Sequence, residues 1–121
     1  MQIQLESGSQ RFRIKGYSQS SIVVNEQTFS LPILLTPLQI ITNNLPQSFQ
    51  MMDVATLDKL LNIDVEVKLI GTGSTSAFLP IELESRCFAK GAMVDCMTTG
   101  AACRTFEIVS AEQRPVAALL F

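Results

Sequence analysis

The sequence predicts an α/β domain built as a three-layer β/β/α arrangement, with a mixed sheet and a β-hairpin extension. Three observations lead there. Up to about residue 41 the chain is written in short apolar and β-branched runs, some with strand-like alternation. Beyond residue 52 strand-like runs alternate with stretches of helical period. A parallel strand pair needs a crossover, usually a helix, to return the chain. The second half therefore reads as a mainly parallel or mixed sheet under helices, with the front strands as an antiparallel extension or second layer.

The elements follow in order. Phe12, Ile14 and Tyr17 are expected on one face of a first strand, with Arg11, Arg13 and Lys15 on the other. Ile22 to Val24, a turn at Asn25-Glu26, and Thr28-Phe29 make a hairpin. Ile33 to Leu35 and Leu38 to Ile41 flank Pro37, which cannot donate a ladder hydrogen bond, so both suit an edge or a bend. After a loop over residues 43–50, Asp53 is placed to cap a helix whose apolar stripe is Val54, Leu57 and Leu61 and which ends at Asn62. Val65 to Ile70 is the best central strand and runs into Gly71-Thr72-Gly73. Pro80 to Lys90 forms a second helix, stopped by Gly91, with Ile81, Glu84 and Phe88 on one side. Ala92 to Met97 is a strand. Thr99 to Gln113 is a third helix facing the core with Ala102, Thr105, Phe106 and Val109, and Val116 to Phe121 is the last strand.

A chain of 121 residues suits one core. No repeat or linker divides it, so residues 1–121 are expected to be a single domain, with residues 1–10 a loosely packed amino-terminal segment. Hydrophobic residues make up 47%, against six Gly and five Pro, which excludes a fully disordered or collagen-like chain. Nine basic and eleven acidic residues leave no positive surplus for nucleic acid or anionic membrane. His is absent, so this chain supplies no His-based triad or zinc site. Three cysteines, Cys87, Cys96 and Cys103, cannot all pair and lack a CxxC, which points to thiols in a reducing, cytoplasmic setting. No secretory signal opens the chain, and prolines interrupt its longest uncharged stretch, so direct membrane insertion is not expected. Charged residues are only 17%, below the usual quarter, and mean hydropathy is +0.30. A partly apolar surface follows, to be covered by a homodimer or a protein partner.

Two regions carry the unusual residues. Gly71 to Ser76 follows a buried strand, and its amides and hydroxyls suit either a required tight turn or a small-anion nest. It completes neither GxGxxG nor a phosphate-binding loop with lysine. On the third helix Cys103, Glu107, Ser110 and Arg114 share a side away from the apolar stripe. Glu107 is positioned to pair with Arg104 or Arg114. Both arginines are expected to fix this helix against the last strand, or else to receive a carboxylate or phosphate. Cys103 has no His to activate it and reads as a packing residue.

Three blocks in order, Ile70 to Gly73, Met97 to Phe106 and Glu112 to Leu120, resemble a family of small bacterial, archaeal and mitochondrial proteins. That family carries a domain of unknown function and includes the mitochondrial assembly factor for NADH dehydrogenase, respiratory complex I. The resemblance extends over most of the chain from Ile14. It implies a three-layer β/β/α domain with a mixed sheet and no demonstrated reaction. Its recurrent positions map onto Gly71, Thr72, Gly73, Met97, Thr99, Ala102, Arg104, Thr105, Glu112 and Arg114. Phe106-Glu107 stands where the family usually has Tyr-Asn, and Gln113 where it has Gly.

The expected function is thus a non-enzymatic protein-interaction or assembly-factor-like domain, without cofactor or metal. Its expected partner is a protein of a membrane or respiratory complex, and neither nucleic acid nor direct membrane insertion is expected. The alternative is a small-molecule or anion-binding enzyme using the Gly71–Ser76 turn with Arg104 and Arg114. The candidate site residues are Gly71, Thr72, Gly73, Met97, Thr99, Cys103, Arg104, Thr105, Glu112 and Arg114.

Overall fold

A computed structural model describes residues 2–4 and 11–121. Its strands are β1 (Gln2–Gln4), β2 (Ile14–Tyr17), β3 (Ser21–Val24), β4 (Gln27–Ser30), β5 (Ile33–Thr36), β6 (Gln39–Ile41), β7 (Val67–Gly71), β8 (Asp95–Met97) and β9 (Val116–Leu120). Its α-helices are α1 (Val54–Leu61), α2 (Ile81–Ala89) and α3 (Thr99–Ala111), and a short 3-10 helix spans Phe49–Met51.

Six strands form one mixed sheet in the order β1-β6-β5-β9-β7-β8. Pairing is parallel for β9 with β7 and for β7 with β8, and antiparallel elsewhere. The second sheet, β2-β3-β4, is an antiparallel meander. Alternation along the strands sends two rows of side chains into two cores. Ile33, Leu35, Leu69, Val116, Ala118 and Leu120 meet the meander and α3, including Ile22, Phe29 and Phe106. Leu34, Ile70, Ala117, Leu119 and Phe121 meet α1, α2 and Phe49 on the opposite face. The result is the expected three-layer β/β/α fold with a mixed sheet, α3 sharing the layer of the small sheet.

Local chemistry explains most boundaries. Asp53 Oδ1 accepts the Thr56 amide at 2.8 Å and caps α1. Pro80 caps α2, and Gly91, at φ +64°, lies just beyond it. Thr98 Oγ1 accepts the Ala101 amide at 3.3 Å and starts α3. In β2 a register shift between Ile14 and Gly16 changes the alternation, so Tyr17 pairs with Ile22 and returns to the Phe12 and Ile14 side. Of residues 1–10, expected as a loose segment, 2–4 form β1 and pair with β6, while residues 1 and 5–10 lie outside the described residues.

Several expectations need correction. Of the edge or bend expected around Pro37, the bend is present, since residues 37–38 turn the chain between β5 and β6, whereas β5 itself is no edge: it runs between β6 and β9 with all four residues buried. Gly71 belongs to β7 rather than to a turn after it, and β8 is shorter than the Ala92–Met97 run. Val54 is half exposed, and the inward side of α1 is Thr56, Leu57, Leu60 and Leu61. On α2 the inward residues are Leu83 and Cys87, while the Ile81–Glu84–Phe88 side faces solvent. Cys103, expected on the outer side of α3, is buried, and Thr105 only half-buried. Because α3 contacts β2 as well as β7 and β9, its buried arc is wider than one apolar stripe and rotated toward Cys103.

Candidate functional site

The Gly71–Ser76 segment is held against the start of α3 by a dense set of polar contacts. A Cβ at Gly71 would stand 2.9 Å from the Thr99 Cα, so only glycine lets β7 approach that backbone. Thr99 is buried. Its hydroxyl accepts the Gly73 amide at 2.9 Å and donates to the Phe121 main-chain oxygen at 2.6 Å. Its amide donates to the Gly73 carbonyl at 2.9 Å. Thr72 donates its amide to the Met97 carbonyl at 2.8 Å and its hydroxyl to the Thr75 carbonyl at 2.7 Å. The amides of Thr72 and Gly73, which the anion-nest alternative needed free, are therefore both spent on the protein itself. Gly73 takes φ +101° in open space, so glycine is needed there for its backbone alone.

The structure brings together Gly71, Thr72, Gly73, Met97 and Thr99, and Thr105 joins them through its hydroxyl, 3.6 Å from Met97 Sδ. The remaining candidates lie elsewhere. Arg104 is exposed and donates to the Tyr17 hydroxyl at 2.8 Å, tying α3 to the meander. Glu107, expected beside one of those arginines, accepts Arg13 Nε at 3.1 Å and the Ile14 amide at 2.9 Å. The wide buried arc of α3 explains this, because it turns Glu107 toward β2. Arg114 donates to Glu66 at 2.8 and 3.2 Å and lies 3.5 Å from Glu112. It thereby fixes the end of α3 to the entry of β7 rather than to β9. The glycine segment is at the other end of β7, about 16 Å away over its five residues.

A cavity of about 270 Å³ opens beside the segment, lined in part by Gln47, Ser48, Gln50, Thr72, Ser74 and Thr75. Neither Arg104 nor Arg114 borders it. Cys103 is enclosed in the core, and burial pushes its thiol up to about 11. Burial also raises Cys87, and takes Cys96 to about 11. Among the described residues no group of three or more Cys, Asp or Glu is placed to hold a metal.

A second face stands out by its exposure. Phe78 is 92% exposed, Phe88 88%, Met93 85% and Ile81 73%. Phe78, Phe88 and Met93 border one groove of about 400 Å³, together with Glu84, Asp95 and Cys96. It lies between the 74–80 segment, α2 and the lead into β8, the outer strand of the six-stranded sheet. Among the described residues no helix is long and apolar enough to cross a membrane. The helical spacing of Ile81, Glu84 and Phe88 was visible in the sequence, whereas the exposure of Phe78 and Met93 was not.

The fold and its sequence are shared. A curated protein of Francisella tularensis subsp. holarctica, "13 kDa major membrane protein", is 26% identical over 107 residues, 88% of this chain and 87% of its own length. A Bordetella parapertussis crystal structure is 27% identical with a TM-score of 0.80, covering 94% of this chain and 98% of that one. A Bartonella henselae outer membrane protein is 34% identical with a TM-score of 0.69, covering 93% of this chain and 95% of that one. Residues 14–121 match the family described as "Protein of unknown function (DUF498/DUF598)". From the first residue of β2 to the last of the sequence, the chain belongs to the DUF498/DUF598 family.

Proposed function

We propose that this is a non-enzymatic protein-interaction domain, assembly-factor-like, whose contact face is the apolar surface of Phe78, Ile81, Phe88 and Met93. The observation that carries the reading is their exposure in a chain with few charges. Phe78 and Phe88 alone present on the order of 300 Å² of apolar surface. Patches of that size on a monomer commonly mark contact sites.

The partner is a protein of a membrane or respiratory complex, and the domain meets it from the cytoplasm. Resemblance to a family that includes the mitochondrial complex I assembly factor supports the assembly role. Two relatives named as membrane proteins support a partner at a membrane. The enzyme alternative required the glycine segment, Arg104 and Arg114 to act together. Neither arginine borders the cavity beside that segment, and their guanidiniums are engaged by Tyr17 and Glu66 respectively.

Quantitative affinity capture from the native cell, comparing wild type with Phe78→Ser/Phe88→Ser, tests the reading. The expected result is loss of a stoichiometric partner by a variant that unfolds like wild type. An unchanged captured set would reject this face as the contact surface.

A further inference from the structure

The occupant of the groove can be specified further from its charge, an inference that rests on the protein-interaction reading above. The cations of α2 and its C-cap, Arg86 and Lys90, are drawn to α1 instead. Arg86 donates to Asp58 of α1 through two bonds of 2.7 Å, and Lys90 lies 3.5 Å from the same carboxylate. The groove is left with Glu84 and Asp95, both exposed. Among the described residues neither makes an ion pair, and Lys68 of β7, whose charge acts weakly on Cys87, reaches neither within 4 Å. Both carboxylates act on Cys96, adding to the burial that raises its thiol, so their fields converge in the groove. Apolar walls and uncompensated negative charge thus share one site.

We propose that this groove docks an apolar protein segment that carries Lys or Arg. Phe78, Phe88 and Met93 take the apolar side chains, and Glu84 with Asp95 take the cation. A second copy meeting the same face across a two-fold axis would bring like-charged groove walls together, so charge favours a different, basic partner.

The test uses the full chain, labelled with nitrogen-15, and three short amidated peptides: leucine with lysine, leucine with glutamate, and serine with lysine. The leucine–lysine peptide is expected to bind and to shift the amides of Phe78, Phe88, Met93 and Cys96. Both other peptides should bind at least about tenfold more weakly. Glu84→Gln/Asp95→Asn should bring the two leucine peptides to near-equal affinity. Phe78→Ser/Phe88→Ser should lose both.

Equal binding of the two leucine peptides to wild type, confined to this face, would overturn the charge preference while leaving the protein-interaction reading standing. Absence of binding, or shifts confined to other faces, would overturn the docking site. So would a dilution-sensitive dimer abolished by Phe88→Ser, since a second copy would then be the occupant. Failure of the broader reading shows separately, as unchanged capture by the Phe78→Ser/Phe88→Ser variant.

Discussion

Gly71 and Thr99 touch backbone to backbone, since a Cβ on the glycine would fall 2.9 Å from the Thr99 Cα and 3.0 Å from Leu120 Cδ2. This contact sets the start of α3 against the end of β7 and allows Thr99 to reach both Gly73 and Phe121. Gly71→Ala must displace helix backbone or Leu120, and is expected to destabilise by about 1–3 kcal/mol. Gly73→Ala acts differently: space around it is open, and the positive φ alone costs about 1–3 kcal/mol. Urea unfolding measures both. Wild-type midpoints for Gly71→Ala would show that β7 and α3 can part without loss.

Thr99→Val keeps the shape of the side chain and removes its hydroxyl. The Gly73 amide loses its acceptor and the Phe121 main-chain oxygen its donor in a buried place. The expected loss is about 1–3 kcal/mol by chemical denaturation, because removing one partner leaves a desolvated group behind. Thr99→Ser, which retains the hydroxyl, should recover most of it.

Arg104 and Arg114 separate two kinds of legibility. Their presence in distinctive blocks was readable, but their partners Tyr17 and Glu66 lie 87 and 48 residues away and no local spacing announces them. The same limit explains Glu107, whose neighbours along the chain suggested Arg104 or Arg114 while the start of β2 and the residue before it supplied the Ile14 amide and Arg13. Caps and turns, being local, were legible: Asp53, Gly91 and the Asn25-Glu26 turn fall as expected, and Pro80 lies one residue before the helix it was expected to open. Which side of a short helix faces inward was not. Ile81–Glu84–Phe88 keeps a helical spacing with apolar residues at both ends, but on the outer side of α2, because Leu83 and Cys87 meet the sheet instead. Both arginines being solvent-exposed, Arg104→Met and Arg114→Met should leave the thermal midpoint close to wild type. A large loss for Arg104→Met would show that its bond to Tyr17 holds the two layers together.

The three cysteines are expected to behave as inert thiols. All are unpaired, Cys87 and Cys103 are buried, and burial favours the protonated form of each. Alkylation of the native protein at pH 8 should be slow at all three, slowest at enclosed Cys103, and complete within the same time in denaturant. Rapid native modification of Cys103 at pH 8 would mean that its thiol ionises far below about 11.

The ion pair between α1 and α2 should appear in the acid limb of the stability curve. Bonding to Arg86 is the main cause that holds the Asp58 carboxyl below its ordinary range, with Lys90 adding a smaller attraction. A carboxyl with a depressed folded pKa binds fewer protons folded than unfolded. Its contribution is therefore present above the unfolded value, near about 3.9, and lost as pH falls through the lower folded value. Asp53 behaves likewise, chiefly because its carboxylate accepts from Thr56 at the cap of α1. Asp58→Asn should lower stability at neutral pH and flatten the fall below about pH 4, so that the two proteins converge in acid. Arg86→Gln should reproduce most of the flattening, since it removes the stronger partner while Lys90 remains. Urea midpoints at successive pH values measure this. Parallel curves for wild type and Asp58→Asn down to the acid transition would show that the pair does not join α1 to α2 in solution.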